Sequence, residues 1–267
     1  MLAEILNRNR SVSPMVHCMV NLVTANDCAN LVLASGASPI MAEDAEEVEE
    51  VTAVCSGLVL NLGTPSPRKI EALIRAGQAA NRLRHPVVFD PVGVGSSQLR
   101  KQAAKDILQT VNVTVIRGNA SEIRTLVSGT MASRGVDVDE TLPSDAPALA
   151  RELARLSGAV VVLSGDADIV TDGKITYRVR NGHPMMRSVT GTGCQLSSLI
   201  GAYVAANPEN PLQASLTAVC AMGLCGEIAH DRLGKLDGNA SYRNYIIDAL
   251  YHLRGRELEE GANYEIC

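Results

Sequence analysis

Aromatic residues are scarce in this sequence of 267 residues, which has no tryptophan, one phenylalanine and six tyrosines. Proteins that bind nucleic acid commonly stack bases on aromatic side chains and present a basic surface. Here 29 acidic residues outnumber 24 basic ones, which gives a formal net charge of −5. Both observations argue against a nucleic-acid partner.

Long apolar runs and paired cysteines are also missing. No uninterrupted apolar stretch approaches the roughly 18 residues of a membrane span, so no membrane association is expected. The first residues, MLAEILNRNRSVSP, lack the apolar centre of a signal peptide. The seven cysteines include no CxxC pair, which argues against a zinc site and a disulfide framework. We therefore expect a reduced, cytoplasmic protein.

Short β-rich segments alternate with helical segments along nearly the whole chain. Their continuous apolar character is typical of strands buried on both faces, and the alternation predicts an α/β fold with a mostly parallel central sheet flanked by helices on both faces. The dipeptide Asp172-Gly173 predicts an antiparallel hairpin at one edge. No linker divides the chain, so we expect a single domain over residues 1–267. The predicted strands are Val16–Met19, Gly57–Asn61, Pro86–Asp90, Val113–Arg117, Ala159–Leu163, Asp168–Thr171 and Lys174–Val179.

Helices are predicted between these strands and over most of the last third of the chain. Pro67 suits the first turn of one of them. The acidic run Glu43–Glu50 is interpreted as a solvated helix face, and the polar segment 128–145 as a surface loop or mobile excursion. The predicted helices are Thr24–Ala34, Pro67 to about Leu83, Leu99–Thr110, Pro147–Leu156, 194–206, 212–232 and 242–258.

The tetrapeptide Gly191-Thr192-Gly193-Cys194 opens one of the predicted helices. Two glycines allow the backbone to turn sharply and to approach a ligand closely. Free N–H groups at a helix start favour an anion, and the same dipole stabilises a cysteine thiolate. The turn therefore predicts an anion cradle with a candidate base at Cys194. The alternative is a turn that binds nothing, followed by a cysteine that acts as a small apolar side chain.

Polar residues end three neighbouring predicted strands, where open parallel sheets bind their ligands. Asp90, with Glu122, is a candidate for handling Mg²⁺, which prefers oxygen ligands. Arg117 and Ser164 are candidate phosphate contacts. The alternatives are a turn or cap role for Asp90, a capping box of Asn119 and Glu122, a surface ion pair for Arg117 and a strand cap for Ser164.

Two further residues are candidates for substrate contacts. Met41 precedes the acidic run, where a methionine packs on an apolar ring or simply fills the core. Asn21 follows the first predicted strand and is a candidate for a polar contact. The phosphate-binding pattern GxxxxGK[ST] and the lysine-strand signature of protein kinases are both absent from the sequence.

Together these motifs resemble the ribokinase-like kinases in the Asn119-x-x-Glu122 pair, the glycine turn and the order of strands and helices. In that superfamily the turn usually ends in aspartate, whereas here it ends in Cys194. This departure is similar to the hydroxyethylthiazole kinases, and further matches cover nearly the whole chain. They are Val16-His-Cys-Met with Asn21, Gly36-Ala-Ser-Pro-Ile-Met-Ala, Asn61-Leu-Gly-Thr, Asp90-Pro-Val-Gly, Arg117-Gly-Asn-Ala-Ser-Glu-Ile and Val189-Thr-Gly-Thr-Gly-Cys.

The resemblance implies an ATP-dependent kinase that phosphorylates the hydroxyl of 4-methyl-5-(2-hydroxyethyl)thiazole in thiamine biosynthesis or salvage. It also implies a homotrimer with active sites at subunit interfaces. The site roles that it implies are substrate contacts from Asn21, Met41 and Gly191; ATP contacts from Arg117, Ser164 and Gly193; Mg²⁺ organised by Asp90 and Glu122; and Cys194 beside the attacking hydroxyl.

Three other functions compete with this interpretation. The first is a ribokinase-like kinase that acts on hydroxymethylpyrimidine or pyridoxal. The second is a cysteine hydrolase or acyltransferase with Cys194 as nucleophile, and the third is a nucleotide-binding regulatory protein without catalysis. For the kinase, Cys194 serves as a proton acceptor only if its pKa falls from about 8.5 toward neutrality.

Overall fold

The computed structural model describes residues 1–131 and 145–267. The strands in these residues are β1 (Met15–Met19), β2 (Ser38–Ile40), β3 (Gly57–Asn61), β4 (Val87–Asp90), β5 (Val115–Asn119), β6 (Val160–Ser164), β7 (Asp168–Thr171), β8 (Thr176–Val179) and β9 (Tyr264–Ile266). They form one sheet in the order β2-β1-β3-β4-β5-β6-β7-β8-β9. Strands β1 to β6 run parallel to one another, and β7, β8 and β9 add an antiparallel extension at one edge.

Helices cover both faces of this sheet. They are α1 (Leu2–Val12), α2 (Ala25–Ser35), α3 (Val48–Val54), α4 (Pro67–Leu83), α5 (Gln98–Thr110), α6 (Ala120–Thr125), α7 (Ala146–Ser157), α8 (Thr192–Ala206), α9 (Pro211–Asp231), α10 (Asn239–His252) and α11 (Gly255–Gly261). One apolar core joins one face of the sheet to α1, α2 and α8 to α11. A second core joins the other face to α3 to α7. The predicted fold class is thus confirmed, whereas the single domain over 1–267 stays a prediction.

Strand register brings polar residues together at the carboxyl edge of the parallel strands. Asn61 at the end of β3 lies opposite Asp90 at the end of β4. Asn119 at the end of β5 lies opposite Ser164 at the end of β6. Because neighbouring parallel strands end at the same edge, residues distant in sequence meet there.

Local sequence signals explain where several helices begin. Ser66 caps α4 by accepting a hydrogen bond from the Lys69 backbone N–H at 3.2 Å, and Pro67 occupies the first turn as predicted. Ser97 caps α5 in the same manner, with Arg100 N–H as the donor at 3.3 Å. These caps satisfy amides that the helix itself leaves without partners.

Some predicted boundaries are wrong. The predicted helix 242–258 is two helices, because the buried Leu253 leaves the helical conformation and Gly255 packs closely against Ala3. Strand β5 continues past Arg117, since its pairing with β6 extends to Asn119. Residues 132–144 of the predicted loop 128–145 lie outside the described residues.

The predicted hairpin forms between β7 and β8, but its second strand begins at Thr176 rather than Lys174. The Asp172 carboxylate accepts hydrogen bonds from the backbone N–H groups of Lys174 and Ile175, at 2.9 and 2.8 Å. Gly173 takes a left-handed conformation with φ of 86°. These bonds hold a longer turn than the two-residue connection that Asp-Gly most strongly favours.

One helix is more apolar than the sequence pattern predicts. Helix α9 has 21 residues and a mean hydropathy of 1.4, which by length and composition would suffice to cross a membrane. However, 78% of this apolar window is buried inside the protein. Its composition therefore matches that of a core helix packed against α8 and α10.

Candidate active site

Asp90 is the most buried ionisable group at the carboxyl edge of the sheet. Its side chain is 0% exposed, and its Oδ2 accepts hydrogen bonds from Asn61 Nδ2 at 2.9 Å and Ser197 Oγ at 2.7 Å. Its Oδ1 is buried without a hydrogen-bond partner. Burial raises the pKa of Asp90 to about 6, although the positive charge of Arg117, 3.9 Å away, opposes the rise. Such a carboxylate is costly to bury and is suited to receive a cation or a donor.

The glycine turn begins α8 beside this carboxylate. Gly191 has a φ of 81°, and a Cβ there would overlap the Thr24 side chain. A Cβ at Gly193 would overlap the guanidinium of Arg117. The start of α8 has no side-chain cap. Its first amides are therefore free of such a partner, as the predicted anion cradle requires.

Cys194 lies in the first turn of α8 and is 7% exposed. Its Sγ accepts hydrogen bonds from Asn61 Nδ2 at 3.3 Å and Asn21 Nδ2 at 3.4 Å. Burial, and next the negative charge of Asp90, raise the pKa of the thiol, whereas the Asn61 bond and Arg117 lower it. The thiol therefore does not show the fall in pKa that a base at Cys194 needs.

Glu122 joins two loops of the site. It forms the capping box that the sequence offered as an alternative, since its Oε2 accepts from Asn119 N–H at 2.8 Å and Asn119 Oδ1 accepts from Glu122 N–H at 3.0 Å. Its Oε1 also accepts from Gly93 N–H at 2.8 Å, which ties α6 to the loop after Asp90. Its negative charge contributes to the raised pKa of Asp90.

The fit of this pair to Mg²⁺ rests on their oxygen atoms. The described residues contain no cluster of three or more histidine, cysteine or acidic side chains able to enclose a metal ion. Mg²⁺ does not need such an enclosure, because it is usually held by one or two carboxylates, water and substrate phosphates. The buried, unpartnered Oδ1 of Asp90 supplies an oxygen of the preferred kind.

A cavity of about 580 Å³ opens beside the glycine turn, within the size range of ligand pockets. Arg117 lines it and donates from Nη2 to Ser164 Oγ at 2.6 Å. An ion pair between Asp166 and Arg187 also lies on its wall. Its remaining lining combines polar groups near the strand ends with apolar side chains of the helices: Asn119, Gly165, Asp168, Asn181, Gly182, His183, Pro184, Met186, Thr192, Gly193, Leu196, Val219, Met222 and Gly223.

Met41 occupies a different position from the other candidates. It is half-buried, follows β2 and packs against the core shared with α2 and α8. Like Asp90 and Cys194, it does not line the 580 Å³ cavity, but it also makes no contact with Asp90 or Cys194 among the hydrogen bonds described above. The next residue, Ala42, is held by His17 in β1, whose Nε2 lies 2.9 Å from the Ala42 carbonyl oxygen.

The structure thus gathers most of the predicted site residues and adds two that the sequence analysis did not single out. Asn61 bonds to both Asp90 and Cys194. Ser197 bonds to Asp90 and, at 3.2 Å, to the carbonyl oxygen of Gly193. Asn61 carries a recognisable signal, since it is a polar residue at a strand end like Asp90. Ser197 lies one helical turn beyond Gly193, which is a weaker signal.

Comparison with known proteins decides the family. Residues 6–256 match the Hydroxyethylthiazole kinase family. The chain belongs to the hydroxyethylthiazole kinase family. It is 49% identical to a hydroxyethylthiazole kinase of Clostridium acetobutylicum over 99% of both chains, and 43% identical to one of Desulfovibrio desulfuricans over 98% of this chain and 96% of that protein.

Solved structures agree with this assignment to the hydroxyethylthiazole kinase family. A hydroxyethylthiazole kinase protein from Pyrococcus horikoshii OT3 superposes with a TM-score of 0.90 at 33% identity, covering 100% of this chain and 98% of that one. A pyridoxal kinase from Staphylococcus aureus, in complex with AMP-PCP and pyridoxal, reaches a TM-score of 0.61 at 14% identity, over 95% of this chain and 97% of that one. At that identity the second likeness shows the fold alone. The predicted family resemblance is confirmed.

Proposed function

We propose that this chain transfers the γ-phosphoryl group of ATP to the hydroxyl of 4-methyl-5-(2-hydroxyethyl)thiazole in thiamine salvage. Membership of the hydroxyethylthiazole kinase family supports this function. The observation that carries it is the meeting of Asp90 and Cys194 with Arg117, which itself lines the cavity of about 580 Å³. Phosphoryl transfer requires chiefly alignment of the reactants and stabilisation of charge, and these groups supply both.

The nucleotide is proposed to occupy the 580 Å³ cavity with its phosphates toward α8. Arg117 would neutralise phosphate charge, Ser164 would bond a phosphate oxygen, and the amides near Gly193 would hold the γ-phosphoryl oxygens. The close approach of Gly193 to Arg117 supports this arrangement, because it places amide and guanidinium donors side by side.

Asp90 and Glu122 are proposed to hold Mg²⁺, directly or through water. A bound magnesium ion would supply positive charge to the triphosphate. Asp90 is suited to this role by its unpartnered Oδ1, and the Gly93 and Asn119 amides fix the position of the Glu122 carboxylate. Electrostatic attraction to the cation would also offset the free energy that burial of the Asp90 charge costs.

Cys194 is proposed to accept the proton of the attacking hydroxyl, with Gly191, Asn21 and Met41 contacting the substrate. Two amide donors on Sγ support this role, because they favour the thiolate over the thiol. In the part of the chain that is described, no histidine donates to Sγ, so the geometry offers no partner for a cysteine hydrolase.

We further propose a cytoplasmic homotrimer in which a second subunit completes each substrate site. Leu22 and Val23 support it, since these apolar side chains adjoin Asn21 and are 82% and 64% exposed. The half-buried Met41 would reach the substrate across such an interface. Sedimentation equilibrium would test the assembly, and a monomeric mass at micromolar concentration would contradict it.

The function is tested by incubating the purified protein with ATP and hydroxyethylthiazole, with and without excess EDTA. We expect ADP and a phosphorylated thiazole to form in equal amounts, and EDTA to abolish both. A parallel assay with hydroxymethylpyrimidine and pyridoxal separates the related kinases. Faster turnover of either compound than of the thiazole alcohol would overturn the proposed substrate.

A further inference from the structure

Asn61 connects the two groups on which the proposed reaction depends most. It is 0% exposed at the end of β3. Its Nδ2 donates to Asp90 Oδ2 at 2.9 Å and lies 3.3 Å from Cys194 Sγ. Its Oδ1 accepts from Gly63 N–H at 2.9 Å and from Asn21 Nδ2 at 3.2 Å. A single buried amide therefore contacts the carboxylate, the thiol and two further donors.

The orientation of this amide is fixed by its neighbours. The Gly63 backbone N–H is a donor only, so the oxygen of the Asn61 amide must face it. The Asp90 carboxylate is an acceptor, so the nitrogen must face the other way, toward Asp90 and Cys194. Rotating the amide by 180° would place its nitrogen against the N–H donors of Gly63 and Asn21. It would also place its oxygen against the Asp90 carboxylate, which is an acceptor. The N–H on Sγ is therefore determined by the network.

Asn21 presents a second fixed donor to the same sulfur. Its Oδ1 accepts from Val23 N–H at 3.0 Å, which leaves Nδ2 to face Asn61 Oδ1 and Cys194 Sγ. Asn21 does not bond to Asp90, whereas Asn61 bonds to both. Asn61 is thus the residue through which the position of the carboxylate and that of the thiol depend on one another.

We propose that Asn61 is a positioning residue for phosphoryl transfer, which holds the Cys194 sulfur in a fixed relation to Asp90 and stabilises its anionic form. This inference rests on the proposed function. In that reaction the hydroxyl oxygen bonds to the γ-phosphorus, the bond to the β–γ bridging oxygen breaks, and ADP leaves. The hydroxyl proton passes to a Cys194 thiolate that has earlier released its own proton to water.

Two variants test the proposal. Asn61→Asp keeps the shape but replaces the donor on Sγ with a carboxyl oxygen, and Asn61→Ala removes the amide without adding charge. We expect kcat to fall about tenfold to a hundredfold in both, as for loss of a hydrogen bond to a charged group. The KM for ATP should change less than about threefold, because Asn61 does not line the cavity.

A second readout does not require nucleotide, metal or activity. Iodoacetamide modification of Cys194 in the free protein is followed against pH by mass spectrometry of its peptide. For Asn61→Asp we expect the midpoint to rise by about one pH unit or more, since the thiolate loses a donor and faces a new acceptor. Asn61→Ala should raise it less.

Asn9→Asp is the matched control. Asn9 is also 0% exposed, and its amide bonds to Ser35 in the packing of α1 against α2, away from the site. This variant should keep the wild-type modification midpoint and KM, whatever stability it loses. If Asn61→Asp does not fold, as judged by circular dichroism, Asn61→Ala decides the outcome.

The proposal is overturned if Asn61→Ala and any folded Asn61→Asp protein keep the wild-type modification midpoint or a kcat within about twofold of wild type. Its failure is distinct from failure of the proposed function. If the wild-type protein phosphorylates no alcohol, the function fails, while the modification experiment still tests the contact between Asn61 and Cys194.

Discussion

At the scale of single residues, Cys194 carries two opposing influences. Burial and the charge of Asp90 raise the pKa of its thiol, while hydrogen bonding from Asn61 and the charge of Arg117 lower it. The first pair prevails, so the pKa of the thiol is raised. Anything that offsets the Asp90 charge during the reaction therefore shifts the balance toward the thiolate. The proposed base thus depends on a complete site.

Substitutions at Cys194 test this role. We expect Cys194→Ala to lower kcat by about 10²- to 10⁴-fold, the usual contribution of a general base. Its ATP affinity should remain nearly unchanged, and Cys194→Asp should stay active because a carboxylate also accepts the proton. Steady-state kinetics and nucleotide titration measure both quantities. An unchanged kcat in Cys194→Ala would refute the assignment.

Gly193 is important because its lack of a side chain leaves space for Arg117. A Cβ there would overlap the Arg117 guanidinium, which bonds to Ser164 at 2.6 Å. We expect Gly193→Ala to displace Arg117 and to raise the KM for ATP about tenfold, the order expected for losing one charge-assisted contact. Gly238→Ala is the control, since a Cβ there meets nothing within 4 Å. Equal KM values in the two variants would contradict the prediction.

At the scale of elements, α6 is a short helix whose N-cap residue lines the cavity. Asn119 caps it, lies opposite Ser164 and lines the nucleotide-sized cavity. The sequence offers the capping box as the alternative to a magnesium role for Glu122, and the structure contains the capping box. A helix start that needs its cap is also a rigid support for the Glu122 carboxylate.

Two cap variants separate stability from function. Asn119→Ala and Ser97→Ala each remove the side-chain acceptor at a helix start. Both should lower the free energy of unfolding by about 1 kcal/mol, as N-cap losses commonly do. Only Asn119→Ala should also raise the KM for ATP. Urea denaturation and kinetics on the same samples provide the comparison, and an equal KM effect from Ser97→Ala would exclude a local role for Asn119.

The elements show how far sequence reasoning reaches. The apolar strand Gly57–Asn61 and the hairpin strand Asp168–Thr171 are predicted with the observed bounds. Strand β2 was missed because it is three residues long and contains Pro39, which is tolerated only because β2 lies at the sheet edge. Strand β9 is equally short and depends on pairing with β8, which lies far away in the sequence.

The site residues, too, are predictable from the sequence where the signal is local and not where it depends on distant contacts. Asp90 and Ser164 are found from their positions at strand ends, since parallel strands present these ends at one edge. Asn61 also ends a strand, but asparagine is common in turns for local reasons, so its contact with Cys194 required tertiary structure. The raised pKa of Cys194 likewise depends on burial, which the helix-start argument does not include.

At the scale of the whole molecule, the site lowers the stability of the fold that supports it. The sheet buries Asp90 completely, with one oxygen unpartnered, so a charge that the proposed function needs opposes folding. The remainder of the structure offsets this cost through two apolar cores, one on each face of the sheet. Such an arrangement is typical of functional sites, where activity and stability place different demands on one residue.

This cost predicts a dependence of stability on pH. Because the pKa of Asp90 is raised from 3.8 to about 6 in the folded protein, the unfolded chain releases this proton first, and stability falls as pH rises through that window. Asp90→Asn has no such charge, so it should not lose stability in this window. Between pH 4 and pH 7 its free energy of unfolding should rise relative to that of wild type by about 1–3 kcal/mol. Its kinase activity should disappear. Urea denaturation at both pH values provides the measurement. Asp44, a half-buried residue whose pKa is lowered by its bonds to the Glu46 backbone N–H and to Arg68, is the control. Asp44→Asn should show the opposite sign. A wild-type protein that gains stability over Asp90→Asn as pH rises would show that the Asp90 charge favours folding.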